Sequence, residues 1–291
     1  MADDAATPSE CARFLKVCGG DQAAADKMVA SYVKWRKEDL AQSPSFGTFE
    51  SGLPPLAAYL PCKCLKGNRV FLIYGAMIDE SRGTAKEFAA AVAKLLENGL
   101  DRNSDEQVTI VIDVRGGGGF ANPNALKVVP FINVIMAIIG PYFPERIHMM
   151  YIVPIPWIAK AVWASVSSML DPKMREKCKV IAGGSSRTDP MPPEMITYLD
   201  QTALDALASH RDSQVMLALA AQAVRDAEKA AEKEALASQR SARGSFGGFF
   251  SPRSSARKST EAKPPAPAAP AAAAPAAVDA AAAAVAAVDI S

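Results

Sequence analysis

Histidine is scarce in this sequence, and a strong net charge, a paired set of cysteines and a long apolar run are all lacking. The formal net charge of +1 gives no overall attraction to nucleic acid, so we expect no nucleic-acid partner. The most apolar stretch, residues 128–139, contains Pro130 and Asn133 and is shorter than the about 20 residues of a membrane-spanning helix. The acidic start lacks the segments of a secretory signal. These absences predict a cytoplasmic protein.

The five cysteines predict ordinary reduced thiols, because their number is odd and the chain is not a small secreted scaffold. A single residue separates Cys62 from Cys64, whereas a zinc knuckle has a longer spacing, and no second pair follows. We therefore expect no bound metal and no cofactor.

Motifs of nucleotide-binding and hydrolytic enzymes are incomplete. The glycine run 116–119 follows a predicted strand, but it lacks the lysine and hydroxyl residue of a P-loop and the spacing of a dinucleotide site. No Gly-x-Ser-x-Gly elbow is present, and His148 lies between apolar residues, as a packed histidine does. We expect no enzymatic activity.

Apolar strands alternate with helical patterns through the centre of the chain. Continuous apolar strands separated by helices are typical of a mostly parallel sheet with helices on its faces, so we predict an α/β fold. The predicted strands are 70–74, 108–112, 149–153 and 179–181, and the predicted helices are 84–98, 124–139 and 157–170.

Four segments differ in composition. Residues 9–45 have helical spacing of apolar residues and form a small N-terminal lobe; residues 54–200 hold the alternating pattern. Residues 201–240 are predicted to form a helical extension. Residues 241–291 are rich in alanine, proline, glycine and serine and lack the apolar content that offsets ordering entropy, so we expect disorder there.

Short motifs succeed one another along the central segment. They read YFPERI at 142–147, MYIVPIPW at 150–157, LDP at 170–172 and KCKVI at 177–181, preceded by VIDVRG at 111–116 and, near the start, by RFL at 13–15 and YVKWRK at 32–37. Their order and spacing resemble the CRAL-TRIO family over roughly residues 10–197. Ile155 departs from the small polar residue that the family often has there, which bears on the ligand more than on the fold.

The resemblance implies a protein that encloses one phospholipid, for example phosphatidylinositol, or another hydrophobic molecule, and exchanges it with membranes by transient, peripheral contact. Exposing one acyl chain to water costs about 0.8 kcal/mol per methylene, so such a carrier needs a dry cavity and a lid. The resemblance assigns the lid to the helix after the proline-aromatic turn; the alternative is that this helix only packs on the sheet. Its apolar residues are Trp157, Ile158, Val162, Trp163, Val166 and Met169.

The resemblance also assigns head-group contacts to Glu145 and Lys177, whose charges suit inositol hydroxyls and phosphate respectively. The alternative is a surface ion pair, for instance Glu145 with Arg146 or Lys177 with Glu176. Tyr74 and Tyr142 are candidates for lining the cavity with a hydroxyl, although core packing explains them equally well. Arg69 is a candidate for facing a phosphate, or else is solvated.

A non-enzymatic scaffold is the competing interpretation. In that case the cavity is vestigial or acts as a sensor, and the helical extension and tail bind protein partners. The sequence alone leaves this alternative open, together with the identity of the lipid.

Overall fold

The computed structural model describes residues 5–46, 54–80, 82–117, 125–156, 163–164, 167, 170 and 172–245, without side-chain detail at 125–129 and 239–245. The chain divides into two compact units, 1–226 and 227–291. The first unit contains the sheet and all of the residues discussed below as a site.

The N-terminal lobe begins with two helices, α1 (Pro8–Val17) and α2 (Gln22–Trp35), and a π-helical turn (Arg36–Leu40) continues α2. The predicted Asp21 cap is confirmed, since its carboxylate accepts a hydrogen bond from the backbone N–H of Ala24 at 3.0 Å. Gly19 and Gly20 separate the helices with φ of 63° and 89°, a backbone region that favours glycine.

Five strands form one sheet in the order β1-β2-β3-β4-β5. The first pair is antiparallel and the other three pairs are parallel. The sequence predicted four of these strands and missed the first, in which Pro61 interrupts the apolar run; an edge strand tolerates a proline. The strands are β1 (Ala57–Lys63), β2 (Arg69–Tyr74), β3 (Val108–Asp113), β4 (Ile147–Ile155) and β5 (Cys178–Ala182).

Helices accompany the strands as predicted. Thr84 caps the third helix through a reciprocal capping box with Glu87. Within the described ranges, no helix is both long and apolar enough to cross a membrane. The remaining helices are α3 (Ala85–Gly99), α4 (Ala125–Tyr142), α5 (Pro172–Lys177) and α6 (Gln201–Ser245), with short 3₁₀ turns at Gly75–Met77 and Pro193–Thr197.

The register assigns the central side chains to two faces of the sheet, because paired residues point to the same side and successive residues alternate. We call one the apolar face; its members are Phe71, Ile73, Ile110, Ile112, Met150, Ile152, Cys178 and Val180. We call the other the sealed face; its members are Leu72, Tyr74, Thr109, Val111, Asp113, Tyr151, Val153 and Lys179.

The first half of α6 lies along the sealed face and follows the direction of the parallel strands. Just before the helix, the carbonyl oxygen of Tyr198 accepts a hydrogen bond from the backbone N–H of Leu65, beside the start of β2. At the far end of β2, the Tyr74 hydroxyl donates to the carbonyl oxygen of His210 at 3.3 Å. The segment that the sequence treats as an extension is therefore, in its first turns, part of the packed unit.

Candidate functional site

The apolar face carries no charged side chain among the eight central members defined above. Ile73, Ile112, Ile152 and Val180 form one row across four strands. Ile73 is fully buried, whereas Ile112, in the central strand β3, and Val180, in the edge strand β5, retain partial exposure. A partly exposed apolar side chain in a central strand, as at Ile112, marks a surface that further apolar groups can cover.

Helix α4 adds a second apolar surface. Phe131, Ile135 and Ile139 are buried at helical spacing and fix one side of the helix in the core. Further large apolar side chains, among them Ile132 and Met136, are only half-buried. A surface helix normally presents polar residues away from the core, so these positions again leave apolar area to be covered.

The predicted lid lies mostly outside the described residues; this is the case for Trp157, Ile158, Val162, Val166 and Met169. Trp163 is described, and it is helical and half-buried. Leu170, at the end of the predicted lid helix, is buried. The lid therefore stays a prediction.

Glu145 and Lys177 both lie beside the start of β4. Glu145 has a φ of 59°, and its carboxylate pairs with Lys16 Nζ of α1 at 3.2 Å. Lys177 Nζ donates to the carbonyl oxygen of Ile147 at 2.8 Å. Arg146, the partner that the alternative interpretation gave to Glu145, is buried and donates to backbone carbonyls of the loop before β3. The structure thus brings the two predicted head-group residues to the same edge of the sheet.

The other predicted ligand residues lie elsewhere and make packing contacts. Tyr74 is buried on the sealed face, where burial raises the pKa of its hydroxyl. Tyr142 stacks on Trp35 of the N-terminal lobe, with ring centroids 4.5 Å apart. The Arg69 guanidinium lies 4.2 Å from the Tyr59 ring and donates to the carbonyl oxygen of Gly99.

A buried charge cluster on the sealed face was missed by the sequence analysis. The Asp113 carboxylate pairs with Arg115 at 2.7 Å and with Arg211 of α6 at 3.3 Å. Arg211 also donates to the carbonyl oxygens of Gly116 and Arg187. The available signal was the helical spacing of Arg211 with Leu207 and other core residues, which places this charge on the packed side of α6.

A second buried cluster fastens the N-terminal lobe. Tyr32 Oη lies 2.7 Å from carboxylate oxygens of both Glu10 and Glu97. Arg102 binds both oxygens of Glu10, at 2.8 and 2.9 Å. Burial by itself raises the pKa of Glu10, but the hydrogen bonds from Arg102 and Thr7 outweigh it, so that this pKa lies below its usual value. The cavity beside this cluster is about 10 Å³, room for one water and not for a lipid.

No group of three histidine, cysteine, aspartate or glutamate side chains capable of holding a metal occurs in the part of the chain that the structure describes. The absence of a bound metal and of a cofactor stays an expectation.

Comparisons with known proteins show what this chain is similar to. No curated protein matches the chain. A solved structure described as the crystal structure of Sfh5 is similar, with 18% sequence identity and a TM-score of 0.49. That match covers 61% of this chain and 65% of the other, so it spans slightly less than two thirds of the Sfh5 chain. A family model, the CRAL/TRIO domain, matches residues 57–206, which is just over half of the sequence. The chain therefore belongs to the CRAL/TRIO domain family, as its motifs predicted.

Proposed function

We propose that this protein encloses a single phospholipid or other hydrophobic molecule and exchanges it with membranes, without catalysing a reaction. The family is one of lipid-binding and lipid-transfer proteins. The observation that carries the proposal for this chain is the apolar face, where Ile112 and Val180 stay partly exposed beside a fully buried Ile73. We further propose that the protein acts in the cytoplasm, with peripheral and reversible membrane contact.

An acyl chain is the natural partner of such a surface. It gains about 0.8 kcal/mol for each methylene that leaves water, and it demands no hydrogen bonds from the wall. The accessible part of the apolar face is aliphatic and sulfur-containing, because Ile112, Cys178 and Val180 keep partial exposure. These properties support a lipid and argue against a polar small molecule.

A phosphorylated head group at Lys177 and Glu145 is the finer part of the proposal. Both residues lie at the edge of the sheet where β4 begins. The neighbourhood is positive: burial lowers the pKa of His148, and the nearby charges of Lys177 and Lys66 lower it further. A phosphate would be attracted to such a position.

Native mass spectrometry after incubation with mixed-lipid vesicles tests lipid binding. We expect a mass increment of one lipid per chain. Ile112→Trp fills the partly exposed position and should abolish the increment. Met216→Trp adds the same ring at a position that is 66% exposed on α6 and should leave uptake unchanged. A wild-type protein that takes up nothing would favour the scaffold interpretation instead.

The head-group assignment has its own test. Lys177→Ala should lower transfer of phosphatidylinositol between vesicles, while the thermal midpoint changes little, because the hydrogen bond from its ammonium group to the carbonyl oxygen of Ile147 is worth about 1 kcal/mol. Lys173→Ala, at an exposed position of the same helix, is the matched control. Equal transfer by the two variants would remove Lys177 from the site.

A further inference from the structure

Two exposed aliphatic side chains lie close together where β1 turns into β2. Leu65 is 53% exposed, and its backbone N–H is hydrogen-bonded to the carbonyl oxygen of Tyr198 at 3.2 Å. Ile196, two residues before Tyr198, is 46% exposed. Both belong to the amino-terminal edge of the parallel strands. Large aliphatic side chains that stay in water beside one another need an explanation.

Their exposure is fixed by the backbone around them. The turn at Leu65 is closed by hydrogen bonds between Cys64 and Asn68 and between Gly67 and Cys64, each 2.8 Å long. Gly67 takes a φ of 80°, which favours glycine. On the other side, Met195 is fully buried and anchors its 3₁₀ turn, so its neighbour Ile196 is held outward. Neither side chain can turn inward without breaking these contacts.

Lysines surround the two aliphatic side chains. Lys63 and Lys66 are exposed in the same turn. Lys179 lies over the Tyr198 ring, with its Nζ 4.7 Å from the centroid. Tyr198 itself stacks on Tyr151 at 4.6 Å, which ties the lysine to the sheet.

Two exposed carboxylates lie nearby, and each is held by a hydrogen bond that leaves its charge in place. Asp200 accepts from the backbone N–H of Ala203 at 2.8 Å, at the start of α6, where the helix dipole partly offsets a negative charge. Glu194 accepts from the Tyr198 hydroxyl at 3.4 Å. The three lysines outnumber these two carboxylates, so the local balance of charge is positive.

We propose that this surface, the Tyr198 patch, docks on an anionic lipid bilayer; its members are Lys63, Leu65, Lys66, Lys179 and Ile196. Aliphatic tips flanked by lysines match a membrane interface, where the tips enter the acyl boundary and the ammonium groups meet phosphates. A specific protein partner would need an interface of about 800 Å² per side, far more than two aliphatic side chains offer. The patch is separate from the apolar face of the sheet, but its role rests on the proposed exchange with membranes.

Co-sedimentation of the full chain with vesicles tests the patch. We expect wild-type protein to bind vesicles containing phosphatidylserine more tightly than pure phosphatidylcholine vesicles, and less tightly in high salt. Each lysine near such a surface is worth about fivefold in affinity, so Lys63→Gln, Lys66→Gln and Lys179→Gln together should weaken binding about 100-fold. Leu65→Asn with Ile196→Asn should weaken it at both salt concentrations.

Matched controls separate docking from loss of net charge. Lys27→Gln, Lys34→Gln and Lys86→Gln remove the same charge from exposed positions elsewhere and should change affinity less than twofold. Equal binding by the two triple variants, or no preference for anionic vesicles, would overturn the proposal. Lipid uptake is measured separately by native mass spectrometry, so a protein that docks but takes up nothing would contradict the carrier function and leave the patch standing.

Discussion

The two faces of the sheet differ in how completely the chain covers them. On the sealed face, α6 supplies apolar side chains to fill the surface and Arg211 to meet Asp113, and it leaves both partners almost inaccessible. On the apolar face, Ile112 and Val180 keep partial exposure and no charged group lies beside them in their row. The comparison teaches that the chain buries the ion pair of Asp113 and Arg211 on one face almost completely and leaves apolar side chains of the other, Ile112 and Val180, partly accessible.

A buried face can hold charged side chains only if their partners stay in place. A buried ion pair is tolerable only when every partner is fixed, since losing one leaves an uncompensated charge. The sealed face meets this condition, because Arg211 is also held by the carbonyl oxygens of Gly116 and Arg187. Under the proposed function the apolar face would open and close for a ligand and could not keep such partners fixed, so purely apolar contacts suit it better.

Removing the buried carboxylate of the sealed face should have the largest effect on stability. Asp113→Ala would leave Arg115 and Arg211 buried without a carboxylate, and we expect the free energy of unfolding to fall by about 3–5 kcal/mol. Urea denaturation measures it. Asp212→Ala, at an exposed position of α6, should cost less than about 0.5 kcal/mol. A loss below about 1 kcal/mol for Asp113→Ala would mean that the cluster does not hold the face closed.

Removing an apolar contact of α6 should be nearly as costly. Leu207 is 1% exposed, so Leu207→Ala should lower the free energy of unfolding by about 2–5 kcal/mol. Leu219, twelve residues further along the helix and 40% exposed, provides the same substitution as a control with a much smaller effect. If the two variants were equally stable, α6 would not be packed on the sheet in solution.

One enlarged side chain on each face sharpens the contrast directly. Val111 on the sealed face is fully buried, so Val111→Trp should destabilise by about 1–3 kcal/mol or more through overpacking. Ile112, its neighbour on the apolar face, keeps partial exposure, so Ile112→Trp should cost less than about 1 kcal/mol. Urea unfolding of the lipid-free proteins compares them. An equal loss would show that the apolar face is as tightly packed as the sealed one.

Acidification should have the smallest effect. Burial lowers the pKa of both His148 and His210, so the folded state binds fewer protons than the unfolded state. Stability should therefore be complete above the unfolded histidine pKa of about 6.5 and decline as the pH falls from about 7 to 5. The decline should be small, because both imidazoles are partly solvated.

Thermal unfolding across this pH range tests the assignment. Since the chain contains only two histidines, the double variant His148→Asn, His210→Asn should be flat between about pH 5 and 7. A decline that persists unchanged in the double variant would place its origin in carboxyl groups instead.

Much of the fold could be predicted from sequence patterns that extend over a few residues. Asp21, Thr84 and the apolar strand runs each act within a few residues, so the helix starts and four strands could be predicted from the sequence. β1 could not, because the edge position that tolerates Pro61 depends on the neighbouring strand. The cluster at Asp113 could be predicted only in part: the helical spacing of Arg211 with Leu207 places this charge on the packed side of α6, but its partner Asp113 is 98 residues away.

The candidate site was predicted unevenly for the same reason. Glu145 and Lys177 belong to motifs and are found near one another, at the start of β4. The role of Tyr74 depends on which face of the sheet its side chain occupies, and a shift of one residue in the strand register would move it to the other face. The sequence shows that a tyrosine ends a strand. Only the three-dimensional register shows that its side chain meets α6, where the hydroxyl donates to the carbonyl oxygen of His210.

The distance along the chain between Asp113 and Arg211 also sets an order of events during synthesis. The ribosome makes Arg211 98 residues after Asp113, which at about 5–20 residues per second is a delay of about 5–20 s. β1 to β3 precede this interval and β4 and β5 are translated within it, so all five strands exist before the helix that seals one side of their sheet is complete. The nascent sheet therefore keeps one face, and the carboxylate of Asp113, uncovered by α6 until that helix leaves the ribosome.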